Sequence, residues 1–113
     1  MSLGVVVIGR NEGDRLVRCL AGLAGQAERV VYVDSGSVGV ARAMGVTVAE
    51  LDSLAPFTAA RARNLGAARL MADDPPDLIQ FVDGDCVVER GWLVTAAAFL
   101  ADNPQAGLVT GWR

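Results

Sequence analysis

The sequence contains no histidine and no lysine; all ten basic residues are arginines. Their absence excludes histidine acid-base catalysis, His-containing zinc sites, lysine Schiff bases and the lysine of a P-loop. Chemistry is left to carboxylates, arginines and a metal ion. The only cysteines, Cys19 and Cys86, lack metal-ligand spacing and are expected to be two buried thiols in a reducing compartment. Long apolar runs are missing as well. Leu3 to Ile8 is strand-sized and has no basic leader, so neither a transmembrane segment nor a signal peptide is expected. The chain therefore reads as cytoplasmic, with any membrane association left to parts not included here. A net charge of -3 gives no electrostatic reason to expect a nucleic-acid partner.

Among its 113 residues, 52% are hydrophobic, enough for one globular domain with a single core. No repeat, low-complexity tract or linker suggests a second domain. Leu3 to Ile8 fits a strand buried on both faces. Leu16, Leu20 and Leu23 then recur at helical spacing between Glu12 and Ala24, with Asn11 as the expected N-cap. Arg29 to Val33 is a second strand, ending at Asp34. Ser37 is placed to cap a short helix through Met44, and Val46 to Ala49 reads as a third strand.

Pro56 is expected to open a helix to about Ala72, on which Arg61 and Asn64, three apart, share a face that Arg63 does not. Leu78 to Val82 is the next strand. Arg90 to Asp102 reads as a helix with Trp92 in the core, and Gly107 to Gly111 as a further strand. Alternating strands and helices predict a Rossmann-like α/β three-layer sandwich with a mainly parallel sheet. Acids would then gather along one edge: Asn11-Glu12, Asp34, and Asp83 with Asp85.

The chain is organised around Asp83-Gly84-Asp85, two carboxylates where an apolar strand stops. On extended backbone, side chains two apart point the same way, and Gly84 would let a ligand approach closely. Oxygen ligands without nitrogen or sulfur suit Mg²⁺ or Mn²⁺ shared with a diphosphate. A polar turn after a strand remains the simpler alternative at this point.

In order along the chain, Val5 to Glu12 ending in Asn-Glu, Leu16 to Leu20, Asp34-Ser35-Gly36-Ser37, Ala62-Arg63-Asn64-Leu65-Gly66 and Asp83-Gly84-Asp85 together resemble the donor-binding half of a family 2 glycosyltransferase of the GT-A fold. The resemblance covers nearly all of the chain. It implies an enzyme that transfers a sugar, with inversion, from a nucleoside-diphosphate sugar to an acceptor hydroxyl on a glycan, lipid or protein. It also implies that Asn11, Glu12 and Asp34 hold base and ribose, with Asp34 accepting from a base N–H. Arg61 or Arg63 with Asn64 would line the nucleotide pocket, Asp83 would sit near the ribose, and Asp85 would bind the Mn²⁺ or Mg²⁺ that bridges the diphosphate.

Gly9-Arg10 departs from the family's Pro-x-Tyr-like lead-in, and Val38-Gly39 from its Thr-Asp. The catalytic base of such enzymes lies on later segments, so the 113 residues are expected to be a truncated GT-A domain carrying donor-site groups only. Two rivals stand beside this reading. Glu12-Gly13-x-x-Leu16 with Asp-x-Asp also resembles a Toprim-type Mg²⁺-dependent nucleic-acid enzyme, though Toprim does not explain the Asp-Ser-Gly-Ser and Arg-Asn-x-Gly segments. The other is a non-catalytic nucleotide-binding module.

Overall fold

A computed structural model describes residues 2–34, 41–42, 44–51 and 56–111. The expected cap at Ser37 and the motif positions Ser35 to Gly39 lie outside these residues. Strands β1 (Leu3–Gly9), β2 (Arg29–Asp34), β3 (Thr47–Glu50) and β4 (Leu78–Asp83) form an all-parallel sheet in the order β3-β2-β1-β4. Helices α1 (Asp14–Leu23), α2 (Ala59–Met71) and α3 (Trp92–Asp102) cover its two faces. The expected Rossmann-like α/β architecture is thus observed. No helix among the described residues is long and apolar enough to cross a membrane.

Strand alternation divides the core in two. Val5, Val7, Tyr32 and Val82 pack with Leu16, Cys19, Leu20 and Leu23 of α1 and Leu93 of α3. Val6, Ile8, Val31, Val33 and Ala49 face the other way, onto Ala62 and Leu70 of α2. β1 feeds both layers, which is why its apolar run is continuous and not alternating. Each fully buried leucine contributes about 2 kcal/mol to holding a layer in place.

Helix boundaries differ from expectation for local reasons. Asn11 does not cap α1: it adopts φ 53°, and Gly13, at φ 58°, occupies the N-cap position without a side-chain bond. Positive φ at Asn11 and Gly13 delays the helix, and Glu12 between them lies against Gly9 and Gly84 at the strand ends. Pro56 does not open α2 either. Thr58 caps it, its Oγ1 accepting from the Arg61 N–H at 3.1 Å, and the helix begins at Ala59. The C-terminal end of α2 is met by Arg29, which donates to the Leu70 and Asp74 carbonyls.

The strand expected at Gly107 to Gly111 is not formed. The segment stays unpaired and mostly exposed: Leu108 is 77% exposed, and only Gly111 lies against the Trp92 ring. Trp92 is the half-buried core residue expected, its indole N–H donating to Gln80 Oε1 at 2.9 Å.

Candidate functional site

Sheet register brings the acids to one edge. Gly9 of β1 pairs with Asp34 of β2, and Ile8 of β1 with Asp83 of β4, so both carboxylates leave the sheet at its carboxyl end. Glu50 of β3 pairs with Asp34 and ends there too. Sequence order runs outward from β1 through β2 to β3 and then returns to the other side of β1 with β4. The point of reversal lies between β1 and β4, where open parallel sheets leave a crevice for ligands. A cleft of about 250 Å³ opens at that place, lined by Ile8, Gly9, Arg10 and Glu12 at and just past the end of β1, by Asp83, Gly84 and Asp85 at and just past the end of β4, and by Phe57, Ala59 and Arg63 at and near α2.

Residues 83–86 form a turn, not an extended segment. The Cys86 N–H donates to the Asp83 carbonyl at 3.0 Å, and the Gly84 N–H to the Ile8 carbonyl at 2.6 Å. Asp83 and Asp85 therefore share the cleft through a turn, and the extended-strand alternation expected for them does not apply. A Cβ on Gly84 would stand 3.0 Å from the Ile8 carbonyl oxygen. The close approach that requires glycine here is made by the backbone of β1 as well as by the open cleft.

Charge on the rim is partly balanced. Arg63 reaches Asp83, Nη2 to Oδ1 at 3.3 Å, with both side chains about half exposed. Arg15 meets Glu12 at 3.3 Å, and the Cys86 thiol donates to Asp85 Oδ1 at 3.4 Å. Arg61 turns away to donate to the Pro56 carbonyl, and Asn64 is exposed and does not line the cleft. The expected pairing of Arg61 with Asn64 toward a ligand is thus replaced by Arg63. Starting α2 at Ala59, with Arg61 folded back onto the cap, turns the Arg63 face to β4. Asn11 is exposed beside the cleft and also does not line it.

Asp34 stands apart from Asp83 and Asp85. It follows Tyr32 by two residues and so shares the α1 side of the sheet, whereas Asp83, in step with Ile79, faces α2. It is 1% exposed and does not line the cleft. Tyr32 was not singled out from the sequence, although its place two residues before Asp34 was the available signal. Its hydroxyl is fully buried, with the Asp34 carboxylate close enough to act on it. Burial, and after it the charge of Asp34, pushes the phenol's ionisation up.

The two thiols differ from the expected buried pair. Cys19 is buried under the turn, its Sγ 3.8 Å from the Asp83 carbonyl, while Cys86 is exposed. Burial pushes the Cys19 thiol up to about 12.

Hard oxygen donors at Asp83 and Asp85, with no third metal-binding side chain gathered among the described residues, match Mg²⁺ or Mn²⁺, which takes one or two carboxylates and fills its shell with phosphate and water. A second, larger groove of about 1010 Å³ runs along the outer side of β4 between α3 and residues 107–111. Its walls are mostly apolar, and it shares only Arg63 and Asp83 with the acidic cleft.

Comparison with curated proteins gives no match. A family model described as Glycosyl transferase family 2 matches residues 4–113, a span that takes in β1 from Gly4 onward, all of β2, β3 and β4, and both sides of the cleft. The chain belongs to glycosyl transferase family 2.

Proposed function

We propose that residues 1–113 form the donor-nucleotide domain of a glycosyltransferase, holding a nucleoside-diphosphate sugar in the cleft between the ends of β1 and β4. The observation that carries this is the meeting of Glu12, Arg63, Asp83 and Asp85 at the reversal point of a parallel sheet. Asp85, the more exposed acid of the turn, and Asp83 would hold Mn²⁺ or Mg²⁺ against the diphosphate; when bound, the ion supplies Lewis-acid stabilisation of the departing nucleoside diphosphate.

This chain's own residues then have distinct tasks. Arg63, already within reach of Asp83, offsets that carboxylate's charge and presents further N–H donors toward phosphate or ribose oxygens. Glu12, held by Arg15 and turned inward by the left-handed Asn11, accepts from a ribose hydroxyl. Phe57 gives the cleft an apolar wall. Asp34, at the end of β2 and off the wall of that cleft, would accept from a base N–H. The transfer is a single inverting displacement by an acceptor hydroxyl, and the general base that step needs is assigned to none of these residues.

Thermal unfolding with a panel of nucleoside diphosphates, with and without Mn²⁺, tests the proposal on wild type and Asp85→Ala. Stabilisation that requires Mn²⁺ and is lost in the variant supports it. Stabilisation by duplex DNA alone, or none by any nucleotide, overturns it.

A further inference from the structure

Two thiols, 67 positions apart in sequence, meet under the turn that carries Asp83 and Asp85. Residues 84–87 run along α1: a Cβ on Gly84 would stand 3.5 Å from Leu16 Cδ1, and one on Gly22 would stand 3.2 Å from Val87 Cγ1. Leu16, Cys19 and Gly22 follow one another at three-residue steps along one side of that helix. Cys86, one residue before Val87, therefore passes over Cys19. Both cysteines are tied to one atom, the Asp83 carbonyl oxygen, which accepts from the Cys86 N–H at 3.0 Å and from the Cys19 thiol at 3.8 Å. The Cys19 sulfur is thus no farther than about 7 Å from the Cys86 nitrogen, and rotation about the Cys86 Cα–Cβ bond with a small shift of the turn brings the sulfurs to bonding distance. Among charged groups, Cys86 acts on the Cys19 thiol more strongly than Asp85 or Asp83 does, as its nearness requires.

We propose that Cys19 and Cys86 form a reversible disulfide when a peroxide reaches the exposed Cys86, and that the bond withdraws the Cys86 sulfur from Asp85. In the first step Cys86 Sγ takes an oxygen from hydrogen peroxide: an S–O bond forms, the O–O bond breaks and water leaves. The Cys19 sulfur then attacks that sulfenic sulfur; S–S forms, S–O breaks, and the thiol proton leaves with the hydroxyl as a second water. Two thiols are oxidised and one peroxide is reduced. Cys19 is buried, so Cys86 is the thiol that meets the oxidant. In the reduced chain the Cys86 thiol donates to Asp85 Oδ1 at 3.4 Å, and in the oxidised chain that contact is replaced by a tether to α1. The effect on binding rests on the donor-site proposal above; the bond itself does not.

Peroxide treatment of the whole chain, removal of the peroxide, alkylation with iodoacetamide and peptide mass spectrometry without reductant test the bond. A linked peptide joining Cys19 to Cys86 is expected, and dithiothreitol should reverse it. Calorimetric titration of the same samples with UDP, GDP, CDP and ADP in Mn²⁺ should show the tightest nucleotide weakened about tenfold, the size of one lost bond to a charged group, and restored by reduction. Cys86→Ser, a change at an exposed position, should form no link and keep its affinity through peroxide.

Sulfinic or sulfonic acid at Cys86 beside an unmodified Cys19, a disulfide between two chains, or an unmodified pair overturns the bond. A linked protein with unchanged affinity overturns the withdrawal from Asp85 and leaves the donor site standing. Reduced wild type that binds no nucleotide removes the donor site and the effect on it, and the linked peptide alone then decides the bond.

Discussion

The contact of Arg63 with Asp83 matters little for stability, and under the proposed donor site it matters for binding. Their side chains are 42% and 46% exposed, so water screens the pair, and it contributes less than about 1 kcal/mol. Arg63→Ala should therefore shift the midpoint of thermal unfolding by only a few degrees, while nucleoside-diphosphate affinity falls about tenfold or more through loss of charge-assisted bonds. Equal affinity in the two proteins would remove Arg63 from the site. The thiols make a second residue-scale prediction. Cys19 is buried and pushed up to about 12, whereas Cys86 is exposed, so iodoacetamide at pH 8 should give one adduct, at Cys86, by peptide mass spectrometry. Adducts at both positions in the folded protein would contradict the packing described for Cys19. At this scale the sequence was only partly informative. The acids of the turn could be read directly, because a strand that stops at two carboxylates is visible as letters. The choice between Arg61 and Arg63 could not, since it depends on where α2 starts and on a guanidinium folding back onto Pro56. Asn11 looked like a cap because its side chain suits one; its backbone, at φ 53°, is used as a turn.

Among the elements, α2 is the one most tightly bound to the sheet. Gly66 faces β1 and β2, and a Cβ there would run into Val6 Cγ1 and stand 3.1 Å from Val33 Cγ2. Gly66→Ala should cost about 1–3 kcal/mol by urea unfolding, since the helix must move off the strands to admit one methyl. Alanine is the better helix former by about 1 kcal/mol, so a stabilised variant would show that α2 rests farther from β1 than described. Thr58→Ala should cost about 1 kcal/mol through loss of the cap bond to the Arg61 N–H. Both changes bear on the cleft as well, because α2 carries Arg63. The strands β1, β2 and β4 were legible because buried parallel strands are written as unbroken apolar runs. Residues 107–111 carry similar letters and form no strand: they lie mostly exposed, because an apolar run leaves the pairing partner unspecified and no strand of the sheet takes them up.

For the molecule as a whole, the two layers differ in their response to pH. Cys19 and Tyr32 both belong to the layer between the sheet and α1, and the α2 layer buries no titratable side chain in its cluster. An unfolded chain releases the Cys19 proton near the ordinary 9.0, whereas the folded chain holds it to about 12. Between those values the folded state binds the extra proton, so stability is complete below pH 9 and falls as pH rises, by up to about 1.4 kcal/mol per pH unit. Tyr32 acts in the same direction above its ordinary 10.0, because burial and Asp34 keep its proton on in the fold. Urea unfolding from pH 8 to 11 should therefore show a decline that steepens above pH 10. Cys19→Ala should lower stability at pH 8 by opening a small cavity, yet flatten the decline between pH 9 and 10, where the thiol alone is responsible. Tyr32→Phe should flatten it only above pH 10. Parallel curves for wild type and both variants would mean that neither group keeps its proton through burial.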